Sequence, residues 1–176
     1  MTPQTPMAYR RSLEDRLRAS ATDSGRDLGW LRRGHVFLRV LHRLAANQPD
    51  EWVLKGGFAV ELRRPGLART TLDIDLTVRR RIAGNVDVVR VRDRLIAALS
   101  VDVDGDSFQF SLGPGAPLVD DAYGRAAWRF TVDAILAGKS FVKFRMDLVE
   151  RPEELVGLTT LTLPIGVGAP PGAGVL

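Results

Sequence analysis

Cysteine is absent from this sequence, and histidine and lysine are scarce. Without cysteine the chain can form neither disulfides nor thiolate metal sites. Its two histidines, His35 and His42, are too few for a histidine-based metal cluster. Lysine occurs only at positions 55, 139 and 143, so arginine supplies most of the positive charge. These shortages leave carboxylate oxygens as the ligands from which a metal site could be built.

Long apolar runs are also missing. No run approaches the roughly 18 residues that a membrane-spanning helix needs. Residues 1–11 lack the apolar stretch of a secretory signal. We therefore expect a cytoplasmic protein. Its 176 residues, 45% of them hydrophobic, are enough for one globular domain with a real core.

Positive charge is in excess, with a net charge of +4 and a pI of about 10.1. Arginines that contact phosphates gain free energy by releasing counterions, so nucleic acids are reasonable partners. The alternative is that the chain is simply rich in arginine, in which case its positive charge says nothing about a nucleic-acid partner. Charge alone leaves both interpretations open.

The first fifty residues have helical spacing, and we predict a helical segment over residues 1–50. A polar stretch from Tyr9 to Ala21 indicates an exposed helix, and Asp27 is a good N-cap for a second helix that reaches about Asn47. The second helix carries an apolar stripe, and its arginines lie mostly elsewhere. The stripe comprises Leu31, Phe37, Leu38, Leu41, Leu44 and Ala45, and the arginines are Arg32, Arg33, Arg39 and Arg43.

Residues 51–163 change to strand patterns and form the predicted core. A short strand, Trp52 to Leu54, leads into a short helix from Phe58 to Arg63, and Thr71 to Val78 alternates between apolar and polar residues. An amphipathic helix near Val88 and three further alternating strands follow. The strands centre on Phe110, Val132 and Phe144. This pattern predicts an α+β fold in which helices back the apolar face of a sheet. Residues 164–176, rich in Gly, Ala and Pro, predict a disordered tail.

Two acids two residues apart carry the chemical prediction. Period-2 geometry places Asp73 and Asp75 on the same face of one strand, where their charges repel unless a cation neutralises them. A hard divalent ion such as Mg²⁺ suits carboxylates together with substrate phosphates. A solvated strand face that happens to carry two acids is the alternative for an isolated Asp-x-Asp pair.

Neighbouring residues favour the metal interpretation. Gly56 and Gly57 lie between a strand and a helix, where backbone N–H groups can approach a phosphate. Cationic and hydroxyl donors, namely Lys55, Arg69 and Thr71, lie close in sequence. A third carboxylate could come from Asp147 on the polar face of a later strand, and Asp133 is its rival by the same pattern. We expect the carboxyl groups of such a site to converge within roughly 3 to 6 Å.

Two segments together resemble a known family. Lys55-Gly56-Gly57-Phe58-Ala59, followed by Arg69-Thr70-Thr71-Leu72-Asp73-Ile74-Asp75-Leu76, is similar to the signature of the AbiEii-type nucleotidyltransferases. This family includes toxins of type IV toxin–antitoxin and abortive-infection systems and has a DNA polymerase β-like fold. The resemblance runs from the second helix to about Pro164.

The resemblance implies a fold with a mixed sheet and a role for each matching residue. Gly56 and Gly57 would cradle a nucleoside triphosphate, with Lys55, Arg69 and Thr71 supporting the phosphates or the acidic strand. Magnesium would be held by Asp73, Asp75 and Asp147. An acceptor hydroxyl, of RNA such as tRNA or of a protein, would attack the α-phosphate in line and release pyrophosphate. A cognate antitoxin would be a partner, and the basic N-terminal helices could face RNA.

One departure qualifies these expectations. Family members usually continue into a helical C-terminal region with further catalytic residues, whereas here the sheet is followed only by residues 164–176. We therefore expect a partial transferase whose activity is in doubt. The alternative is an inactive relative that binds a nucleotide, RNA or an antitoxin. His42 and the tryptophans Trp30, Trp52 and Trp128 are expected to pack in or beside the core.

Overall fold

The computed structural model describes residues 5–64, 71–79, 87–103, 105–118, 126–150, 157–164 and 171–175. Four helices occur in these ranges: α1 (Pro6–Ser24), α2 (Leu28–Asn47), α3 (Gly56–Arg63) and α4 (Val88–Ser100). The strands of the main sheet are β1 (Trp52–Lys55), β2 (Asp73–Val78), β3 (Phe108–Leu112), β4 (Ala116–Pro117), β5 (Ala127–Leu136) and β6 (Lys139–Val149). A second, two-stranded sheet consists of β7 (Thr162–Pro164) and β8 (Pro171–Val175).

The N-terminal helices begin where local sequence provides a cap. Thr5 accepts a hydrogen bond from the backbone of Ala8 at 3.2 Å, and Asp27 accepts one from the backbone of Trp30 at 2.7 Å. These side chains satisfy N–H groups that the first helical turn leaves unpaired. The predicted N-cap Asp27 is therefore confirmed.

Two details of the helical prediction are wrong. Helix α1 is not wholly exposed, because Leu13 and Leu17 are buried against the core. On α2, Arg39 is 3% exposed and Arg43 is 1% exposed, so these arginines do not lie away from the buried face. The helix is surrounded on several sides, and a single apolar stripe underestimates how much of it is covered.

The main sheet is mixed, with strand order β1-β2-β6-β5-β3 and with β4 beside β5. Strands β2 and β6 are parallel, and the other pairs are antiparallel. One face is apolar and packs on all four helices in a single core cluster. The other face carries the charged and hydroxyl side chains. This arrangement confirms the predicted α+β fold with helices backing a mixed sheet.

The core contains most of the large apolar residues that alternate along the strands. Among them are Ile74, Leu76, Phe130, Val132, Met146 and Leu148. Leu72 was predicted to share the apolar face of β2 but is 52% exposed, because it precedes the first residue of that strand. His42, Trp52 and Trp128 are buried and Trp30 is partly buried against the core, as predicted.

The C-terminal residues differ from the predicted disordered tail. Residues 171–175 form β8, which pairs antiparallel with β7. Backbone hydrogen bonds hold such a pair together without requiring large apolar side chains. The predicted segment boundaries, 1–50, 51–163 and 164–176, stay a prediction. In the described part of the chain, no helix combines the length and apolar character needed to span a bilayer.

Candidate active site

The three predicted acids lie on neighbouring parallel strands. Asp73 and Asp75 are half-buried on the polar face of β2, and Asp147 on β6 is the register partner of Asp75. Because β2 and β6 run parallel, the three side chains occupy one area of the sheet. We call Asp73, Asp75 and Asp147 the acidic patch.

A row of charged residues crosses the sheet through this patch. Lys55 on β1 pairs in register with Asp75, Asp75 with Asp147, and Asp147 with Arg129 on β5. Two adjacent acids are thus flanked by a basic residue on each side. Cross-strand neighbours of opposite charge stabilise a sheet, whereas the like charges of Asp75 and Asp147 destabilise it.

Two arginines hold two of the three acids in bidentate ion pairs. Nε and Nη2 of Arg129 donate to the two carboxylate oxygens of Asp147 at 2.8 and 2.6 Å. Nε and Nη2 of Arg145 donate in the same way to Asp73 at 2.9 and 3.0 Å. Hydrogen bonding by Asp147, together with its charge, raises the pKa of Arg129.

Asp75 differs from the other two acids because it makes no hydrogen bond or ion pair with another described residue. Burial raises its pKa, and the charges of Asp147 and Asp73 raise it further, against the opposing effect of Lys55 and Arg129. The centre of the patch therefore carries negative charge that nearby bases only partly offset. A bound cation would relieve this repulsion.

The two predicted glycines lie where backbone and side chains approach most closely. Gly56 begins α3 with a φ of 67°, and a Cβ at this position would lie 1.8 Å from Oδ2 of Asp75. A Cβ on Gly57 would lie 3.2 Å from Cβ and Oγ1 of Thr71. The space that these glycines leave is thus used by the chain itself, and the N-terminus of α3 lies beside Asp75. Its partial positive charge favours an ionised carboxylate there.

Three predicted residues remain, namely Thr71, Lys55 and Arg69. Thr71 Oγ1 donates to the backbone oxygen of Asp73 at 3.2 Å, which supports the acidic strand. Lys55 is half-buried beside Asp75, as its register requires. Arg69 lies outside the described residues.

Asp133, the rival of Asp147, lies on β5 away from the acidic patch. It accepts a hydrogen bond from Ser140 at 2.6 Å and forms an ion pair with Lys143 at 3.6 Å. The parallel register of β2 and β6 instead brings Asp147 beside Asp75. The geometry therefore favours Asp147 as the third acid.

The expected convergence of three carboxyl groups is wrong for this structure. No group of three or more His, Cys, Asp or Glu side chains within the described ranges is arranged to hold a metal ion. Arg129 and Arg145 each engage one carboxylate of the patch instead. The donor chemistry still suits a hard divalent cation, because three carboxylates share one face and Asp75 has no partner among the described residues. The residues fit such an ion once the two arginines release their acids.

Sequence reasoning assigned no role to Arg129 and Arg145. The only available signal was their position on the polar side of two alternating strands, which also carry Asp133, Lys143 and Asp147. A cross-strand ion pair depends on register, and register requires knowledge of which strands are neighbours.

Arginines on the N-terminal helices make internal contacts as well. Arg10 donates to the backbone oxygens of Leu136 and Lys139 at 2.8 and 3.1 Å, and Arg32 pairs with Glu14 at 2.5 Å. The basic composition therefore serves the fold at several positions. An RNA-facing surface on these helices stays a prediction.

Comparison with protein-family models supports the resemblance. Residues 39–175 match the family model described as the nucleotidyl transferase AbiEii toxin of type IV toxin–antitoxin systems. This match passes Pro164, where the resemblance was expected to end. A crystal structure of a candidate nucleotidyltransferase from H. pylori is also similar, with 19% identity and a TM-score of 0.39. The alignment covers 70% of this chain and 46% of that one, so the chain spans less than half of that protein's length. No curated protein matches the chain.

Proposed function

Because the chain belongs to the AbiEii nucleotidyltransferase toxin family, we propose that it transfers a nucleotide from a nucleoside triphosphate to an acceptor hydroxyl. The family match suggests nucleotidyl transfer in general terms. The observation that carries the site assignment is Asp75, a half-buried acid without a partner among the described residues, with Asp73 two residues before it on β2 and Asp147 beside it on β6.

Two sets of residues contact the nucleoside triphosphate in this proposal, one at its phosphate chain and one at the reacting phosphorus. Backbone N–H groups of Gly56 and Gly57 at the start of α3, together with Lys55, bind the triphosphate. Arg69 and Thr71 support the phosphates or the acidic strand. Thr71 already bonds to the backbone of Asp73, which keeps the start of β2 in place for the acids.

The acidic patch acts at the reacting phosphorus. Asp73, Asp75 and Asp147 would hold magnesium, which would supply charge neutralisation and activation of the attacking hydroxyl. The oxygen of the acceptor hydroxyl bonds to the α-phosphorus in line, its proton passes to solvent water, and the bond from the α-phosphorus to pyrophosphate breaks. Most of the acceleration comes from holding these groups in position in a preorganised field.

The acceptor and the partner follow from charge and from family membership. The excess of arginine favours an RNA acceptor such as tRNA, and a protein hydroxyl is the other candidate. A cognate antitoxin is the expected protein partner, as for a toxin of a type IV system.

The test is an incorporation assay with each labelled nucleoside triphosphate, Mg²⁺, and either total tRNA or total protein as acceptor. We expect label in one acceptor and its loss, by about a thousandfold or more, in Asp75→Asn. Asp133→Asn is the matched control, since it removes an acid from the same sheet face outside the patch, and it should retain activity. Equal incorporation by Asp75→Asn would contradict the assignment.

A second candidate is a non-catalytic module that binds nucleotide, RNA or an antitoxin. One observation favours it, namely that arginines already neutralise two of the three acids. In that case no acceptor would become labelled, and binding of tRNA or of the antitoxin would be unaffected by Asp75→Asn.

A further inference from the structure

The ion pairs of the acidic patch are accessible to solvent. The side chain of Arg129 is 38% exposed and that of Arg145 is 47% exposed. Each guanidinium can therefore leave its carboxylate and turn toward water without opening the core. Their acids are less exposed, Asp147 at 14% and Asp73 at 24%, so an acid that loses its arginine needs another counter-ion, which a divalent cation can supply.

The geometry of these pairs excludes a cation from the same oxygens. Each guanidinium contacts both oxygens of its acid through two nitrogens, so it covers the edge of the carboxylate that a divalent ion would use. A cation at that edge would also be repelled by the guanidinium at close range. The arginine and the metal ion therefore compete for Asp147 and for Asp73.

Charge balance leads to the same conclusion. The patch holds Asp73, Asp75 and Asp147, and the basic residues facing it from the neighbouring strands are Lys55, Arg129 and Arg145. Described acids and bases are thus equal in number. A divalent cation therefore binds this cluster more strongly when positive charge moves away or an anion arrives.

We propose that Arg129 and Arg145 are exchangeable counter-ions: each neutralises an acid of the empty patch, yields that acid to the divalent cation, and then binds the triphosphate that accompanies the cation. This inference rests on the proposed function. It adds two positioning residues to the site and makes the binding of metal and of triphosphate cooperative. A guanidinium suits the second role because its fork also matches phosphate oxygens.

The test measures binding rather than turnover. Calorimetry with Mn²⁺ alone gives the affinity of the empty patch for a cation, and titration of inorganic triphosphate in saturating Mn²⁺ gives the affinity for the anion. For Arg129→Gln and Arg145→Gln we expect Mn²⁺ to bind about tenfold more tightly and triphosphate about tenfold more weakly. These opposite changes separate exchange from a loss of structure, which would weaken both.

Lys143→Gln is the matched control. Lys143 lies on β6 like Arg145, is exposed on the same face, and pairs with Asp133 outside the patch. It removes the same charge, so it reports the long-range electrostatic effect, and we expect changes below about twofold. Arg129→Lys and Arg145→Lys retain the charge without the fork, and should tighten Mn²⁺ binding less than the glutamine variants. They also serve if a glutamine variant fails to fold.

Two results would overturn the inference, and they differ in what else they affect. If the native chain binds Mn²⁺ and the folded arginine variants bind it no more tightly than Lys143→Gln does, the exchange is refuted and the proposed function stands. If neither the native chain nor any variant binds Mn²⁺, the metal site itself is refuted and both proposals fail. If the native chain binds Mn²⁺, Asp75→Asn should abolish that binding.

Discussion

Two regions of this protein contain arginine–aspartate ion pairs that differ in their burial. In the interior, Arg43 is 1% exposed and pairs with Asp106, which is 3% exposed, at 2.7 Å. The same guanidinium also donates to the backbone oxygens of Leu99 at 2.5 Å and Phe108 at 2.8 Å. On the polar face of the sheet, Arg129 and Arg145 also pair with aspartates, but they remain in contact with solvent.

Burial, rather than the ion pair itself, therefore decides what an arginine does in this protein. Arg43 joins α2 to the end of α4 and to the start of β3. Its release would take this donor from two carbonyls and leave the buried Asp106 without its counter-ion, although the backbone of Phe108 still donates to that acid. Burial raises the pKa of Asp106 even though Arg43 opposes that shift. A buried pair of this kind is costly to break, whereas exposed pairs can exchange.

The largest expected effect comes from breaking the interior pair. Arg43→Met should lower the free energy of unfolding by about 3–5 kcal/mol, because Asp106 then stays buried without its partner. Urea denaturation measures this change. Arg145→Gln, which breaks the more exposed of the two pairs on the sheet face, should cost less than about 1 kcal/mol. Similar losses in the two variants would remove the distinction between the regions.

The next effect concerns how closely α3 approaches the acidic patch. Gly56→Ala places a Cβ against the carboxylate of Asp75, so we expect nucleotide transfer to fall by about a hundredfold through displacement of that acid. Gly25→Ala is the matched control, since Gly25 has the same φ of 67° and no atom within 4 Å of its added Cβ. Both variants carry backbone strain, and only the first should lose activity. Equal activity in both would show that Asp75 tolerates the displacement.

The buried His35 should make the stability of the protein depend on pH. His35 is 6% exposed, and burial, followed by the charges of Arg39 and Arg16, lowers its pKa from 6.5 to about 3. Between these values the unfolded chain binds a proton that the folded chain does not, so stability falls as pH falls. The expected loss is about 1.4 kcal/mol per pH unit below 6.5.

The variant His35→Gln removes this titration. Its unfolding free energy, measured by urea denaturation from pH 7 to pH 4, should fall less steeply than that of the native chain. Parallel curves for the two proteins would mean that His35 is protonated in the fold as readily as in the unfolded chain.

The smallest effect is a gain in stability at the patch. Repulsion and burial raise the pKa of Asp75, so its ionised form opposes folding at neutral pH when no cation is bound. Asp75→Asn should therefore raise the melting temperature in EDTA, and added Mn²⁺ should stabilise only the native chain. Asp133→Asn breaks a favourable pair with Lys143 and should give no increase. A lower melting temperature for Asp75→Asn would contradict the repulsion.

Much of the fold was predictable because its signals are local. Asp27 caps α2 through the backbone of Trp30, three residues on, and the alternation of Ile74 and Leu76 with the acids of β2 depends only on strand geometry. The pairing of residues 171–175 with β7 was not predictable, because it depends on backbone hydrogen bonds rather than on side-chain pattern. The burial of Arg39 and Arg43 was missed because several elements surround α2.

Residue spacing alone was enough to predict an amphipathic sheet, two acids on one side of a strand, and a glycine pair before a short helix. These features follow from spacings of a few residues, because helix and strand geometry fixes the direction in which side chains at those spacings point. Tertiary structure was needed to place Asp147 beside Asp75 and to pair Arg129 with Asp147 and Arg145 with Asp73. Those contacts join distant segments, and their existence depends on strand order and register, which no short stretch of sequence contains.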